Sequence, residues 1–454
     1  MSQSHIHHRL RSYALRPTTP IPFSSLIRFP YRPTADQLLQ TTHFLSQELP
    51  TRLAHRYFEL KESLPPSLHN HPSTLKVQDW YAESFSELIE FADGLEAHRV
   101  DSRRVEYVKK LEQQQRRSSI FGAAFGGTGK WFNTKRNATE QISIGGQQVE
   151  VPAGLASTMT LESIGALPFP PLRRQAFPSQ NRTFSGTLPT TYLTPYTRTY
   201  TTHFSTLLTK IAHRHAPILP LTASTLSTLP FSVIPPTPTI QQFLSDSHTF
   251  QSSLRLLIYH YLALHRPLRG SPSSQIGIID TNVSIPYIVE ESIIDASNVV
   301  EEVMGHTVPV SIIDKDNGTA KGFTHIPTWI RYALFEVLKN SLRSVIEKGS
   351  GSVNVSYHTT PTSYKIEITD TGLGIPEKNL AKVFEYAYTT VKLRKPAVVS
   401  ADAPIAGFGY GLPLSRLYMR FFGGDLELES EEGVGTKVVL TIQRKWEDVK
   451  DVMI

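Results

Sequence analysis

The stretch Trp329-Ile-Arg-Tyr-Ala-Leu-Phe-Glu336-Val-Leu-Lys-Asn340-Ser-Leu-Arg343-Ser344 has the spacing of an amphipathic helix. Leu334, Val337, Leu338 and Leu342 form its apolar side, while Glu336, Asn340 and Arg343 fall at i, i+4 and i+7 and share a stripe. An amide oxygen in that stripe suits magnesium, a hard cation that takes oxygen ligands and keeps several waters beside nucleotide phosphates. A carboxylate one turn away can orient or deprotonate an attacking hydroxyl. Alone, E-x-x-x-N is equally the pattern of a solvated helix face, so its neighbours decide the reading.

Downstream, Ile366-Glu-Ile-Thr-Asp370-Thr-Gly372-Leu-Gly374 reads as a strand feeding an aspartate and two alternate glycines. The carboxylate can accept an adenine amino group, and the glycines let the backbone approach a base closely. Next comes Gly407-Phe408-Gly409-Tyr410-Gly411-Leu412 at the head of a helix, where converging backbone N–H groups and the helix dipole make a phosphate cradle. Glu432-Gly433-Val-Gly435-Thr436 then joins the last two strands. Helix box, D-x-G-x-G, glycine-rich lid and G-x-G-T, in that order, are the boxes of the ATP-binding module shared by gyrase, Hsp90, histidine kinases and MutL. This GHKL module should cover about 270–446 as an α/β sandwich with a mixed sheet. Runs at Ile276–Ile279, Val308–Ile313, Val353–His358, Tyr364–Thr369, Asp425–Ser430 and Thr436–Gln443 are its expected strands, and 286–304 and 327–348 its helices.

The first half reads differently. Residues 34–64 carry apolar residues at helical spacing, interrupted at Pro50, and the pattern resumes over 73–117, where Leu88, Phe91 and Leu95 share a face. It returns at 201–215 and 239–265. Several amphipathic helices in succession must bury their stripes against one another, so 31–266 is expected to be a helical, four-helix-type bundle. Within it, 118–200 is poor in acidic residues and rich in Gly, Pro, Ser and Thr, and reads as a long loop insertion. Its Gly126-Gly127-Thr128-Gly129-Lys130 is no P-loop, because Trp131 stands where the Ser/Thr belongs and position 124 is alanine. His260 and His265 read as bundle histidines, since no acidic residue directly follows either as it would in a phospho-accepting motif.

Composition sets limits. The chain has 454 residues, a formal charge of +6 and no cysteine, which excludes disulfides and thiolate chemistry. The positive charge is dispersed and no motif reads grooves or stacks bases, so nucleic acid is not an expected partner. No apolar run approaches the roughly 18 residues of a membrane span. Arg9, Arg11, Arg16, Arg28 and Arg32 precede the first acidic residue, Asp36, so residues 1–30 have the composition of a mitochondrial presequence. Residues 447–454 form a short tail.

Both halves resemble one family, the mitochondrial protein kinases of α-ketoacid dehydrogenases, of pyruvate and branched-chain type. The resemblance is carried by Phe44-Leu-Ser-Gln-Glu-Leu-Pro-Thr-Arg-Leu-Ala54, Gln78-Asp-Trp80-Tyr-Ala-Glu-Ser-Phe85, Glu336-Val-Leu-Lys-Asn-Ser-Leu-Arg343, Gly407 through Tyr418, Phe421-Phe-Gly-Gly-Asp-Leu426 and Glu432 through Thr436. It implies a magnesium- and ATP-dependent protein-serine kinase that inactivates pyruvate dehydrogenase. The alternatives are the branched-chain substrate, or a non-catalytic ATP-gated regulator that occupies lipoyl domains. It also implies that Glu336 is the base, that Asn340 ligates Mg2+, that Asp370 holds adenine, and that Thr389, Thr390 and the Gly407–Leu412 lid enclose the phosphates. Arg343, Gly372, Gly374 and Thr436 complete the implied ATP site. Implied partners are the dehydrogenase subunit, the lipoyl domain of the acyltransferase core and a second copy of the chain, in the mitochondrial matrix. Two departures stand out: Asp370-Thr-Gly372-Leu-Gly374 replaces the family's usual D-R-G-G-G, and Tyr332 stands where pyruvate-type members usually place a histidine.

Overall fold

The computed structural model describes residues 3–27, 33–94, 194–228, 238–265, 274–390 and 409–444. The chain divides into two compact units, Met1–Ile89 with Ile164–Ile454, and Glu90–Ser163, of which only 90–94 are among the described residues. Both sheets, and the helices that pack on them, lie in the first unit.

Eight helices come before the first strand among the described residues: α1 (Gln3–Ala14), α2 (Phe23–Ile27), α3 (Ala35–Glu62), α4 (Pro66–His69), α5 (72–94), α6 (Thr194–His215), α7 (Ile218–Thr228) and α8 (Pro238–His265). Helix α3 opens with a reciprocal capping box: Gln37 N–H donates to Thr34 Oγ1, and Thr34 N–H donates to Gln37 Oε1. It then runs unbroken through Pro50, where the sequence pattern predicts an interruption. Proline removes one intrahelical hydrogen bond. Leu45, Leu49 and Leu53 are buried on both sides of it, and that burial offsets the loss. Helices α3, α6 and α8 pack on one another, and Tyr81 of α5 donates to Gln251 of α8 at 3.1 Å. Helix α6 begins at Thr194, inside the segment expected to be loop; Pro195 occupies its first turn, where a missing N–H costs nothing. The remainder of that segment lies outside the described residues.

Residues 3–27, which have the composition of an import segment, pack on the bundle. Helix α1 lies on α3, and Leu10, Ile21, Phe23 and Leu26 are buried.

The second half builds β1 (Gln275–Ile276), β2 (Ile279–Val283), α9 (Ile285–Met304), β3 (Val310–Asp314), β4 (Phe323–His325), α10 (Pro327–Lys348), β5 (Val353–Thr359), β6 (Ser363–Asp370), α11 (Glu377–Leu380), α12 (Gly411–Arg420), β7 (Asp425–Glu431) and β8 (Gly435–Gln443). Five strands form one sheet in the order β3-β5-β6-β8-β7, with β3 parallel to β5 and every other pair antiparallel. This is the expected mixed sheet. Strand β6 alternates, with Tyr364, Ile366, Ile368 and Asp370 buried, and helix α10 packs against it. Helices α9 and α12 flank α10, and Trp329 is fully buried among Tyr418, Phe421 and Phe422.

A second sheet, β1-β2-β4, differs from expectation. Ile276–Ile279 is not one strand: it is the tip of a hairpin in which Ile276 pairs with Ile279 and Gly277 turns at φ 72°. Strand β4 is too short for periodicity to reveal.

Candidate functional site

Helix α10 is the floor of the site, because residues from three separate motif segments meet it at successive levels. Its entry is set by Pro327 in the first turn and its exit by Gly349 in the left-handed region.

At its C-terminal end lies the D-x-G-x-G turn. Asp370 ends β6 and is buried. Its carboxylate accepts the Gly372 N–H at 3.0 Å, the Ser341 hydroxyl of α10, and a backbone hydrogen bond from Thr436, its register partner on β8. Burial raises the Asp370 pKa; these hydrogen bonds and the Lys348 charge oppose the rise. Gly374 has φ 65° and lies so close to the Glu431 carbonyl that a side chain would collide with it. Leu373 N–H donates to Ser344 Oγ (2.9 Å), Gly433 N–H donates to the Leu373 carbonyl (2.7 Å), and Ile375 N–H donates to Ser430 Oγ (2.9 Å). Ser430 Oγ lies 2.8 Å from Thr436 Oγ1. The G-x-G-T hairpin and the D-x-G-x-G turn are therefore one hydrogen-bonded assembly.

Two turns back along α10, Glu336 is buried. Lys339 Nζ donates to its Oε1 at 2.7 Å, and Oε2 faces Gly411, the first residue of α12. A helix N-terminus is partially positive, so the carboxylate is placed where two sources of positive potential meet. Gly409, with φ 76°, is pressed on the main chain of Tyr388, which brings the exposed pair Thr389 and Thr390 beside the root of the lid. Asn340 lies midway between the two ends of the helix and is exposed. At about 1.5 Å per residue, Glu336 and Ser344 stand roughly 12 Å apart along the axis, so the site is elongated.

The comparisons with known proteins meet this geometry. A family described as mitochondrial branched-chain alpha-ketoacid dehydrogenase kinase matches residues 20–280, and one described as histidine kinase-, DNA gyrase B-, and HSP90-like ATPase matches 325–445. The chain is 28% identical over 459 residues to the mitochondrial [pyruvate dehydrogenase (acetyl-transferring)] kinase of Schizosaccharomyces pombe, covering 98% of each. It is 30% identical over 327 residues to isozyme 3 of that kinase from Homo sapiens, covering 68% of this chain and 79% of the relative. With the Arabidopsis thaliana kinase it shares 25% over 431 residues, 92% and 88% of the two chains. The chain belongs to the mitochondrial α-ketoacid dehydrogenase kinase family. It is a protein kinase of the GHKL superfamily, and membership implies use of ATP.

The residues of this kinase fit a nucleotide. A buried, hydrogen-bonded carboxylate stands at one end of the α10 floor, glycines lie in close contact at both ends, and a helix N-terminus lies at the other. No group of three or more His, Cys, Asp or Glu that could hold a metal ion exists among the described residues. An ion held by one side-chain oxygen, waters and phosphates fits Asn340 without such a group.

Some expected residues do other things. Arg343 Nε donates to Glu347 at 2.7 Å, which engages the guanidinium along the helix. The Tyr410 ring is buried against His248 and Tyr386, which leaves only its backbone for the cradle. Leu412 is half-buried in the first turn of α12; Gly407 and Phe408 lie outside the described residues. Tyr332 packs edge-on to Tyr418 at 5.2 Å, and burial, with the Glu336 charge added, pushes its pKa well above the ordinary phenol. It is a neutral neighbour of Glu336. His260 is buried, so it offers no surface to a phosphoryl group.

Sequence reasoning missed Ser341, Ser344 and Lys348, and with them Lys339 and Ser430. The first two were legible: they follow Val337 at helical spacing and lie on the stripe beside Glu336, Asn340 and Arg343.

Proposed function

We propose that this kinase transfers the γ-phosphoryl group of ATP to a serine hydroxyl of pyruvate dehydrogenase and thereby inactivates it. The observation that carries the reading is the pairing of Glu336, beside the first residue of the lid helix, with Asp370 at the far end of the same floor. Glu336 is the base that takes the serine proton, and Asp370 receives the adenine amino group. Asn340 contributes an oxygen to Mg2+, which when bound neutralises charge between the phosphates. Thr389, Thr390 and the lid glycines donate hydrogen bonds to phosphate oxygens. Catalysis is then mainly positioning and charge stabilisation, as in phosphoryl transfer generally.

The substrate follows the names of the relatives, which are pyruvate dehydrogenase kinases. The description of the family matching 20–280 favours a second reading, the branched-chain dehydrogenase. We further propose that the protein works in the mitochondrial matrix, docks on a lipoyl domain of the acyltransferase core, and pairs with a second copy. The arginine-rich N-terminus supports import, and no described helix is long and apolar enough to cross a membrane.

Incubation with magnesium-ATP and each purified dehydrogenase complex tests the reading. Acid-stable phosphoserine on the pyruvate enzyme, lost in Glu336→Gln with ATP binding kept, is the expected result. Transfer only to the branched-chain enzyme selects the second reading; complex binding without transfer to either refutes the kinase assignment.

A further inference from the structure

Gln241 belongs to bundle helix α8, yet its side chain grips the main chain of the nucleotide-binding half. Its Oε1 accepts the Tyr386 N–H at 2.8 Å, and its Nε2 donates to the Tyr386 carbonyl at 3.2 Å. Among neutral side chains, a primary amide presents a donor and an acceptor in one plane, matching both backbone groups of a single residue. The grip is sheltered: Tyr386 is buried with Ile240, Leu244, Tyr410 and Leu414, and His248 lies against its ring at 4.8 Å.

The chain beyond Tyr386 needs such a hold. Ala387 has φ 64°, a conformation that residues with a Cβ rarely adopt and that persists only where surrounding contacts impose it. Tyr388 then passes beneath Gly409, whose lack of a side chain allows the approach. Thr389 and Thr390 follow directly. The strained turn is thus pinned at its start by Gln241 and at its end by the lid glycine.

We propose that Gln241 is a positioning residue for the phosphate end of the ATP site, acting from the helical bundle through the Tyr386 main chain. This rests on the reading that Thr389 and Thr390 meet the phosphates. The bundle is then part of the nucleotide site's framework as well as a neighbouring domain.

The test uses the full chain, its wild-type form and the Gln241→Leu and Gln241→Glu variants, with binding of magnesium-ATP and of adenosine measured separately. Leucine removes both hydrogen bonds. Glutamate keeps the shape and the acceptor but sets a carboxylate against the Tyr386 carbonyl. Both variants should bind ATP at least about tenfold more weakly while adenosine, which touches only the Asp370 end, changes less than about twofold. In a Thr389→Ala/Thr390→Ala background, Gln241→Leu should cost little more, because both changes act on one segment. Equal losses for ATP and adenosine, or full additivity, would overturn the proposal and leave Gln241 a structural residue. The substrate reading fails separately, through wild-type protein that binds ATP and phosphorylates neither dehydrogenase; the ratio of ATP to adenosine affinity is independent of that result.

Discussion

Glu336 Oε2 lies against the α-carbon of Gly411, so close that a single methyl group on Gly411 would collide with the carboxylate. Glu336 and the start of α12 therefore occupy one contact, and Gly411 is a glycine for steric reasons, with no unusual φ to explain it. Gly411→Ala should displace Glu336 and lower kcat by about 10- to 100-fold, since small misplacements of reacting groups carry costs of that size. The measurement is phosphoryl transfer at saturating ATP, beside a thermal melt. A variant with wild-type kcat would show that the carboxylate moves aside freely and that the contact is unimportant.

Lys348 bridges two carbonyls, Thr371 at 2.8 Å and Gly433 at 2.9 Å, and so ties the end of α10 to both glycine turns at the Asp370 end. Its charge also favours the ionised form of Asp370 against the penalty of burial. Lys348→Met should raise KM for ATP several-fold, corresponding to about 1 kcal/mol for hydrogen bonds of an exposed group, with kcat little changed. Lys348→Arg should restore most of the loss. An effect on kcat alone would contradict this placement.

How far the site could be read in advance depended on what each residue type encodes. Glu336, Asn340, Asp370 and the glycines sit in short motifs with a fixed order, so the sequence marks them as candidates. Lys348 and Gln241 act on main-chain atoms 23 and 145 residues away, and no spacing rule reports such a pairing. Fold elements behaved similarly. The long strands β5, β6 and β8 alternate visibly, whereas the Gly277 turn hides inside a β-branched run and only φ reveals it. Pro50 misled in the opposite direction, because local propensity yielded to the burial of Leu45, Leu49 and Leu53.

Buried histidines set the acid limit of stability. His215, His248 and His260 have pKa values lowered to about 3 and His325 to about 4, in each case first by burial. Arg214 and Arg255 add to the effect at His215, and Arg56 and Arg255 at His248. Below the ordinary value near 6.5 the unfolded chain takes up protons that the folded chain refuses until about pH 3–4, so stability falls as pH falls through that window. Each such histidine contributes on the order of 1–2 kcal/mol of this loss near pH 5. Melting temperature should drop between about pH 7.5 and pH 5.5, and His260→Phe, which removes one titrating group, should flatten the slope. An unchanged slope in that variant would show that His260 titrates normally.

The N-terminal segment meets the ATP-binding half at the ring of Phe23. Phe23 of α2 meets Phe422 edge-on, with centroids 4.6 Å apart, and Phe422 packs in turn on His325 and Trp329. Burying an aromatic side chain of this size is worth a few kcal/mol, and Phe→Ala in such a setting costs about 3–5 kcal/mol. Phe23→Ala should therefore lower the melting temperature of the whole first unit. Deletion of residues 1–30, which also removes buried Leu10, Ile21 and Leu26, should lower it further. Thermal melts and proteolysis of the three chains decide the matter. A deletion variant as stable as the full chain would show that these contacts add nothing to the folded kinase. A destabilised one would make residues 3–27 part of its core, whatever else their arginines do.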